Sequence, residues 1–328
     1  MKMRKSSIVG TGSYIPKRVL TNADLEKMVD TSDEWITTRT GIKERRIVDK
    51  DEAASDLAYK ASMKAMKAAN IKPEELDMII VATITPDMIF PATACVLQKK
   101  LGVRKIAAFD LEVACSGFLY GISIASQFIA TGMYDTILIV AAEVLSKIVD
   151  WQDRNTCVLF ADGAGAVVLK PSEGGNQIIS SCLGADGEGA DLVGVPAGGS
   201  RLPASLETVR NRQHYMKMNG NGLFKEAVKT MVQAADISLQ KGGLTYKDID
   251  FFIPHQANIR IIKAVAKRMG LSMDKVCINL DRYGNMSAAS VAVALDEAVR
   301  EKRIKRGDKI LLTCFGGGLS WASLVIEW

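Results

Sequence analysis

The chain has 328 residues, 48% of them apolar, with 42 Lys and Arg against 37 Asp and Glu for a net charge of +5. At roughly 100–200 residues per domain this length implies about two domains or one large layered one, able to hold a core without disulfides or metal. The 24% charged fraction excludes a fibrous or disordered protein, and no Lys/Arg run with interleaved aromatics points to nucleic acid as a partner.

The first seven residues carry charge but no apolar stretch follows them: Ile8 and Val9 run into Gly10-Thr11-Gly12 and Pro16. Leu57 to Ala69 reads as a helix rich in Ala, Lys and Met, and Met78 to Ala82 as a buried strand. A helix over Thr93 to Lys100, a strand over Ile106 to Phe109 and a long small-residue helix over Gly117 to Ala130 come next. Ile137 to Ala142 is a further buried strand and the longest apolar run; it ends at Glu143, far short of a membrane span, so no membrane partner is expected. Continuous apolar strands between helices imply sheets covered on both faces, the α/β class.

The order then recurs. Leu76-Asp77 precedes the Met78 strand, and Ile249-Asp250 precedes Phe251-Phe252-Ile253-Pro254. Cys115 follows Asp77 by 38 residues and Asn285 follows Asp250 by 35. Each is followed by a small-residue helix and another apolar strand, Ile137 to Val140 or Ile310 to Thr313. Two halves, 1–171 and 172–328, are expected from a duplicated unit of about 160 residues. Ser172 to Arg212, rich in glycine, reads as a loop: a lid, a join between the halves or a surface excursion.

Six cysteines without a C-x-x-C pair suit neither a zinc site nor a disulfide framework, so a cytoplasmic protein with reduced thiols and no metal is expected. Cys115 stands apart, at a strand-to-helix junction among small residues. Backbone N–H groups and the dipole of a helix start favour thiolate there; an inert buried cysteine is the alternative. His255 follows a strand, where sites collect in α/β sheets, whereas His214 sits among Arg210, Arg212 and Lys217. Asn285 before a helix is an N-cap candidate, raised by its correspondence with Cys115. The Gly316-Gly317-Gly318 run can aim N–H groups at an oxyanion, and Gly10-Thr11-Gly12 lacks the third glycine of a dinucleotide loop.

Together Thr31-Ser32-Asp33-Glu34-Trp35-Ile36, Arg39-Thr40-Gly41-Ile42, Ala114-Cys115-Ser116-Gly117-Phe118, Asp162-Gly163-Ala164-Gly165-Ala166, Pro254-His255-Gln256-Ala257-Asn258, Gly284-Asn285 and Phe315-Gly316-Gly317-Gly318 resemble β-ketoacyl-acyl-carrier-protein synthase III over nearly the whole chain. The resemblance implies a thiolase fold of two duplicated halves in five layers, α-β-α-β-α, a homodimer, and initiation of type II fatty-acid synthesis by decarboxylative condensation. Coenzyme A thioester would be a substrate rather than a cofactor. It further implies Cys115 as the acyl-accepting nucleophile and His255 and Asn285 as donors to the malonyl-acyl carrier protein enolate, with the N–H groups of Cys115 and Gly317 as the oxyanion hole. Trp35, Arg39, Arg154, Asn221 and Asn258 match the coenzyme A contacts, and Phe90 the residue that bounds a partner's acyl pocket. Arg260, Lys263 and Lys267, on one helical face, would dock the acidic carrier protein.

Leu319 stands where an aromatic is common in the family. Cys314 resembles a second thiolase cysteine, although the sequences around His255 and Asn285 are not those of thiolases, and it reads as a strand residue. A Cys-His-Asn hydrolase would use the same three groups with His255 as base to the thiol. A non-catalytic acyl binder would be expected to have lost the cysteine.

Overall fold

The computed structural model describes residues 3–328. Its first sheet holds β1 (Ser6–Tyr14), β2 (Met78–Ala82), β3 (Ala107–Leu111), β4 (Ile137–Val144) and β5 (Asp162–Pro171), in the order β1-β5-β4-β2-β3. The second holds β6 (Gln177–Ala185), β7 (Phe251–Pro254), β8 (Lys309–Gly316) and β9 (Ser320–Glu327), in the order β6-β9-β8-β7. Pairing senses match strand for strand. β4 runs parallel to β2 with Met78 opposite Ile137, and β8 parallel to β7 with Ile310 opposite Phe251. β5 is antiparallel to β1 and β4, as β9 is to β6 and β8. Where β3 extends the first sheet, the second has a single parallel bridge between Phe252 and Val276.

Six helices frame the sheets, α2 (Ala54–Ala68), α3 (Thr93–Leu101), α4 (Gly117–Thr131), α5 (Gly220–Gly242), α6 (Ile259–Met269) and α7 (Ala289–Arg300), while α1 (Asp33–Thr40) packs on α6. Strand alternation shows how they stack. From β4, Ile137, Ile139 and Ala141 pack with α4 and α7, while Leu138, Val140 and Ala142 pack with α2 on the opposite face. From β8, Ile310, Leu312 and Cys314 join the same central cluster, and Leu311 and Phe315 face α5 and α6. The layers are therefore α2/α3, sheet, α4/α7, sheet, α5/α6: an α-β-α-β-α thiolase fold. The helix α7, from the C-terminal part of the chain, lies mainly on β5 and β1, and α4 also touches β9, so the two sheets share one central layer.

Small residues set the spacing between layers. A Cβ on Gly10 of β1 would collide with the Ala65 carbonyl and with Ala69 of α2 and its C-cap, so this glycine serves sheet-to-helix packing. The Ser172 to Arg212 segment is not simply a loop. Gln177–Ala185 is the edge strand β6, and its serines and glycine hid it because edge strands have little apolar patterning to show. Glu143 does not end β4, which continues to Val144 with every residue buried.

Candidate active site

The starts of α4 and α7 open onto one cavity of about 680 Å³, lined among others by Cys115, His255, Asn285, Ser287 and the Gly316–Gly318 run. Each residue arrives by its own backbone device. Cys115 lies in a 3-10 turn, Ala114–Ser116, between β3 and α4. His255 follows β7, and its N–H donates to the Thr313 carbonyl at 2.8 Å. Asn285 is pinned at both backbone groups: its N–H donates to Leu159 O and its carbonyl accepts from Ala161 N, each at 2.9 Å. Ala114 and Ser287 hold φ of 42° and 48°, a left-handed conformation that costs a non-glycine residue about 1–3 kcal/mol and collects at functional sites.

Gly316 lies directly beneath the cysteine, where a Cβ would stand 2.7 Å from the Cys115 nitrogen. Only glycine leaves that N–H unobstructed, and Gly317 lines the cavity next to it. The Asn285 side chain is oriented by the Ser287 N–H, which donates to Oδ1 at 2.9 Å. That assignment leaves the two amide hydrogens on Nδ2 for the cavity. The His255 Nδ1 is buried without a hydrogen-bond partner among the described residues, so the ring has only its cavity side for bonding.

Ionisation departs from the sequence expectation. Cys115 is half-buried at the cavity floor, and burial pushes its thiol up to about 12; the Ser287 hydroxyl favours the thiolate and Glu143 opposes it. Burial is the largest influence on this group and favours the neutral thiol. Burial pulls His255 down to about 4, so at neutral pH its imidazole is uncharged and able to accept a proton. Cys314 is buried on β8 and its thiol is pushed well above the ordinary range, with Cys115 contributing after burial.

Other candidates lie around the mouth. Arg39 and Arg154 both stack on Trp35, at 5.7 and 5.0 Å from the ring centroid. Asn258 lines the cavity as the N-cap of α6, accepting from Arg260 N at 2.8 Å and donating to the Arg39 carbonyl at 3.0 Å. Asn221 is exposed in the first turn of α5, beside the lining residue Gly220. Arg260, Lys263 and Lys267 are exposed along one face of α6, with Arg260 over Phe224 at 5.4 Å. Phe90 is outside the cavity, 83% exposed at the tip of a loop with Ile89 at 88%. His214 is also outside, with Nε2 2.9 Å from the Thr208 hydroxyl. Among the described residues no group of three His, Cys, Asp or Glu side chains comes together as a metal site would.

Sequence reading passed over Glu143. It is wholly buried on the β4 face that carries Ile137, Ile139 and Ala141 toward α4 and α7. Its Oε2 accepts from the Thr85 hydroxyl at 2.8 Å and from Ile84 N at 3.2 Å. Extending the period-two pattern of the apolar run by one step would have found it.

Two sheets with matching strand orders around a shared helical layer, and a cysteine, a histidine and an asparagine at one cavity beneath it, define a thiolase-fold condensing enzyme. Comparison with known proteins narrows the class. Family models for 3-oxoacyl-[acyl-carrier-protein] synthase III and for its C-terminal region match residues 109–187 and 239–328. The β-ketoacyl-[acyl-carrier-protein] synthase III of Caldanaerobacter subterraneus subsp. tengcongensis is 62% identical over 323 residues, 98% of each chain. That of Natranaerobius thermophilus is 56% identical over 329 residues, covering 99% of this chain and all of its own. The crystal structure of the Aquifex aeolicus synthase III superposes with a TM-score of 0.91 at 47% identity, over 98% of this chain and 100% of that one. The chain belongs to the β-ketoacyl-acyl-carrier-protein synthase III family. It is an acyltransferase of the condensation that initiates type II fatty-acid synthesis.

Proposed function

We propose that Cys115 takes the acyl group of an acyl-CoA primer as a thioester, and that malonyl-acyl carrier protein then discharges it as 3-ketoacyl-acyl carrier protein. The convergence of Cys115, His255, Asn285 and the glycine run on one cavity carries this reading. Because Cys115 rests as a thiol, the first step needs a proton acceptor, and the uncharged His255 imidazole supplies one. Sulfur attacks the acyl carbonyl, the thioester bond to coenzyme A breaks, and the proton passes through His255 to the departing thiolate. The N–H groups of Cys115 and Gly317 hold the oxyanion.

In the second step the C–C bond to the malonyl carboxylate breaks, CO2 leaves, and its electron pair forms an enolate. Hydrogen bonds from His255, in the tautomer that carries its proton on the cavity-side nitrogen, and from the Asn285 amide stabilise the enolate oxygen. The carbanion attacks the acyl-cysteine, the C–S bond breaks, and the departing Cys115 thiolate takes one proton from solvent to become a thiol. With His255 able to serve as base, the hydrolase alternative shares the acylation chemistry, and the two differ only in what discharges the acyl-enzyme.

Around this centre, adenine would stack on Trp35 between guanidinium groups of Arg39 and Arg154, with Asn221 and Asn258 along the pantetheine path. The exposed Arg260, Lys263 and Lys267 face suits an acidic carrier protein. The exposed Phe90 tip suits insertion into a second copy in a cytoplasmic homodimer, and the halves 1–171 and 172–328 would descend from one duplicated unit. Intact-protein mass after incubation with acyl-CoAs, beside Cys115→Ala, tests the assignment. An adduct lost in the variant and discharged by malonyl-acyl carrier protein as ketoacyl product supports it; discharge as free acid refutes it.

A further inference from the structure

A two-stranded ribbon, Arg18–Thr21 paired antiparallel with Glu44–Ile47, carries a charge into the interior. Along its second strand Glu44 and Arg46 are half-buried, while Arg45 and Ile47 turn inward. Strand alternation calls for an apolar side chain at an inward position, yet this one holds an arginine with 0% exposure. Burial pulls Arg45 down to about 10, so it keeps its charge at neutral pH. A charge taken out of water is tolerated where its donors find acceptors, and here the acceptors lie behind the site.

One arm of the guanidinium reaches toward Asn285. Arg45 Nε and Nη2 both donate to the Val158 carbonyl, at 3.0 and 2.6 Å. Val158 leads directly into Leu159, Phe160 and Ala161, the strip against which Asn285 is registered. Leu159 O and Ala161 N bond its two backbone groups, and Phe160 forms a parallel bridge with it. The arginine stem lies under Gly284, where a Cβ would stand 3.1 Å from Arg45 Cγ. The other arm reaches α1. Nη1 donates to Asn22 Oδ1 at 2.6 Å. Asn22 Nδ2 in turn donates to Asp33 Oδ1 at 2.6 Å, the Ile42 carbonyl at 3.0 Å and the Thr37 hydroxyl at 3.3 Å. Asp33 and Thr37 belong to the helix that carries Trp35 and Arg39.

We propose that Arg45 is a positioning residue that holds the Asn285 amide and the mouth helix α1 in one frame. It does not line the cavity. It acts through Val158 on the donor to the enolate, and through Asn22 on the helix that would receive coenzyme A. A guanidinium suits this place because its rigid planar fork serves both acceptors at once, whereas an ammonium is a single point. Cys115 stands outside the network, on a wall made by the Ala114–Ser116 turn and Gly316 of β8. The two walls are therefore separable by mutation.

This inference rests on the roles proposed above for Asn285 and α1, and its test separates the two. Three quantities would be measured on wild type, Arg45→Met and Asn22→Ala: CO2 release from malonyl-acyl carrier protein, the acyl-CoA concentration that half-saturates acylation of Cys115, and the acylation rate at saturation. Arg45→Met should lose about tenfold or more in CO2 release and need about fivefold more acyl-CoA, with the saturated acylation rate within about twofold of wild type. Asn22→Ala, which cuts only the α1 arm, should raise the half-saturating concentration and leave CO2 release within about twofold. A uniform decline of all three quantities in Arg45→Met, or unchanged CO2 release, would overturn the proposal. If Arg45→Met does not fold, Arg45→Lys decides: CO2 release should drop about threefold or more with saturated acylation held, and a uniform loss refutes. Amide hydrogen exchange needs no substrate. The peptide around Asn285 should exchange faster in the Arg45 variant while that around Gly316 matches wild type. This exchange pattern beside a failed condensation assay would sink the functional reading and leave the positioning standing; equal exchange at Asn285 would sink the positioning alone.

Discussion

The Ser287 N–H donates to Asn285 Oδ1 at 2.9 Å, which turns the asparagine amide nitrogen toward the cavity. The geometry assigns Asn285 as a donor, because its acceptor is already used. Asn285→Asp keeps the shape and the Ser287 contact but replaces the donor by a negative charge where the enolate charge would develop. Acylation by acyl-CoA should persist within a few-fold, while decarboxylation of malonyl-acyl carrier protein should fall by about 10²-fold or more. Stopped acyl-adduct mass and CO2 release separate the two steps, and equal loss in both would count against the assignment.

Gly316→Ala tests the opposite wall. Its methyl group would stand 2.7 Å from the Cys115 nitrogen, closer than packed atoms approach, so β8 or the 3-10 turn must move. An oxyanion donor moved off line costs about 10²-fold in kcat, and the acylation rate should show it, with the melting temperature lowered by the added strain. A variant with unchanged acylation would mean that the Cys115 N–H does not serve the oxyanion.

The α/β class, the repeated strand order and the convergence of three separated motifs could all be read in the sequence. Continuous apolar strands have only one satisfactory burial, between two helical layers. The misses share a physical origin. Strand β6 was hidden because an edge strand exposing one side needs no apolar run. Glu143 looked like a boundary because a charged side chain in a core is rare, and only its position on the inward face of β4 shows otherwise. The burial around Cys115 was not legible because a helix start is visible locally, whereas burial depends on β8, Gly316 and the α7 start, residues distant in sequence.

Charge on α6 gives a salt-dependent prediction. Lys263→Glu with Lys267→Glu reverses two exposed positions on the face that also carries Arg260. The KM for malonyl-acyl carrier protein should rise about tenfold or more at low ionic strength, and the difference should shrink in 0.5 M salt, where the Debye length is about 4 Å. With malonyl-CoA as donor the variant should match wild type. An equal effect on both donors would place the damage in the fold rather than at a docking face.

His255 and Glu143 make opposite contributions to stability against pH. His255 falls from its ordinary 6.5 to about 4 in the folded protein, so between those values the unfolded chain binds the proton and stability rises with pH. Glu143 rises from 4.5 to about 7, so between those values the folded protein holds the proton and stability falls as pH rises. Each effect is on the order of 3 kcal/mol across its window, and in the overlap from 4.5 to 6.5 they largely cancel. Removing one should expose the other. Urea unfolding of Glu143→Gln should show free energy climbing steeply from pH 4.5 to 6.5, and His255→Gln should show it declining over the same range, with wild type flatter than both. Parallel curves for all three proteins would mean that neither group keeps its shifted ionisation in the folded state.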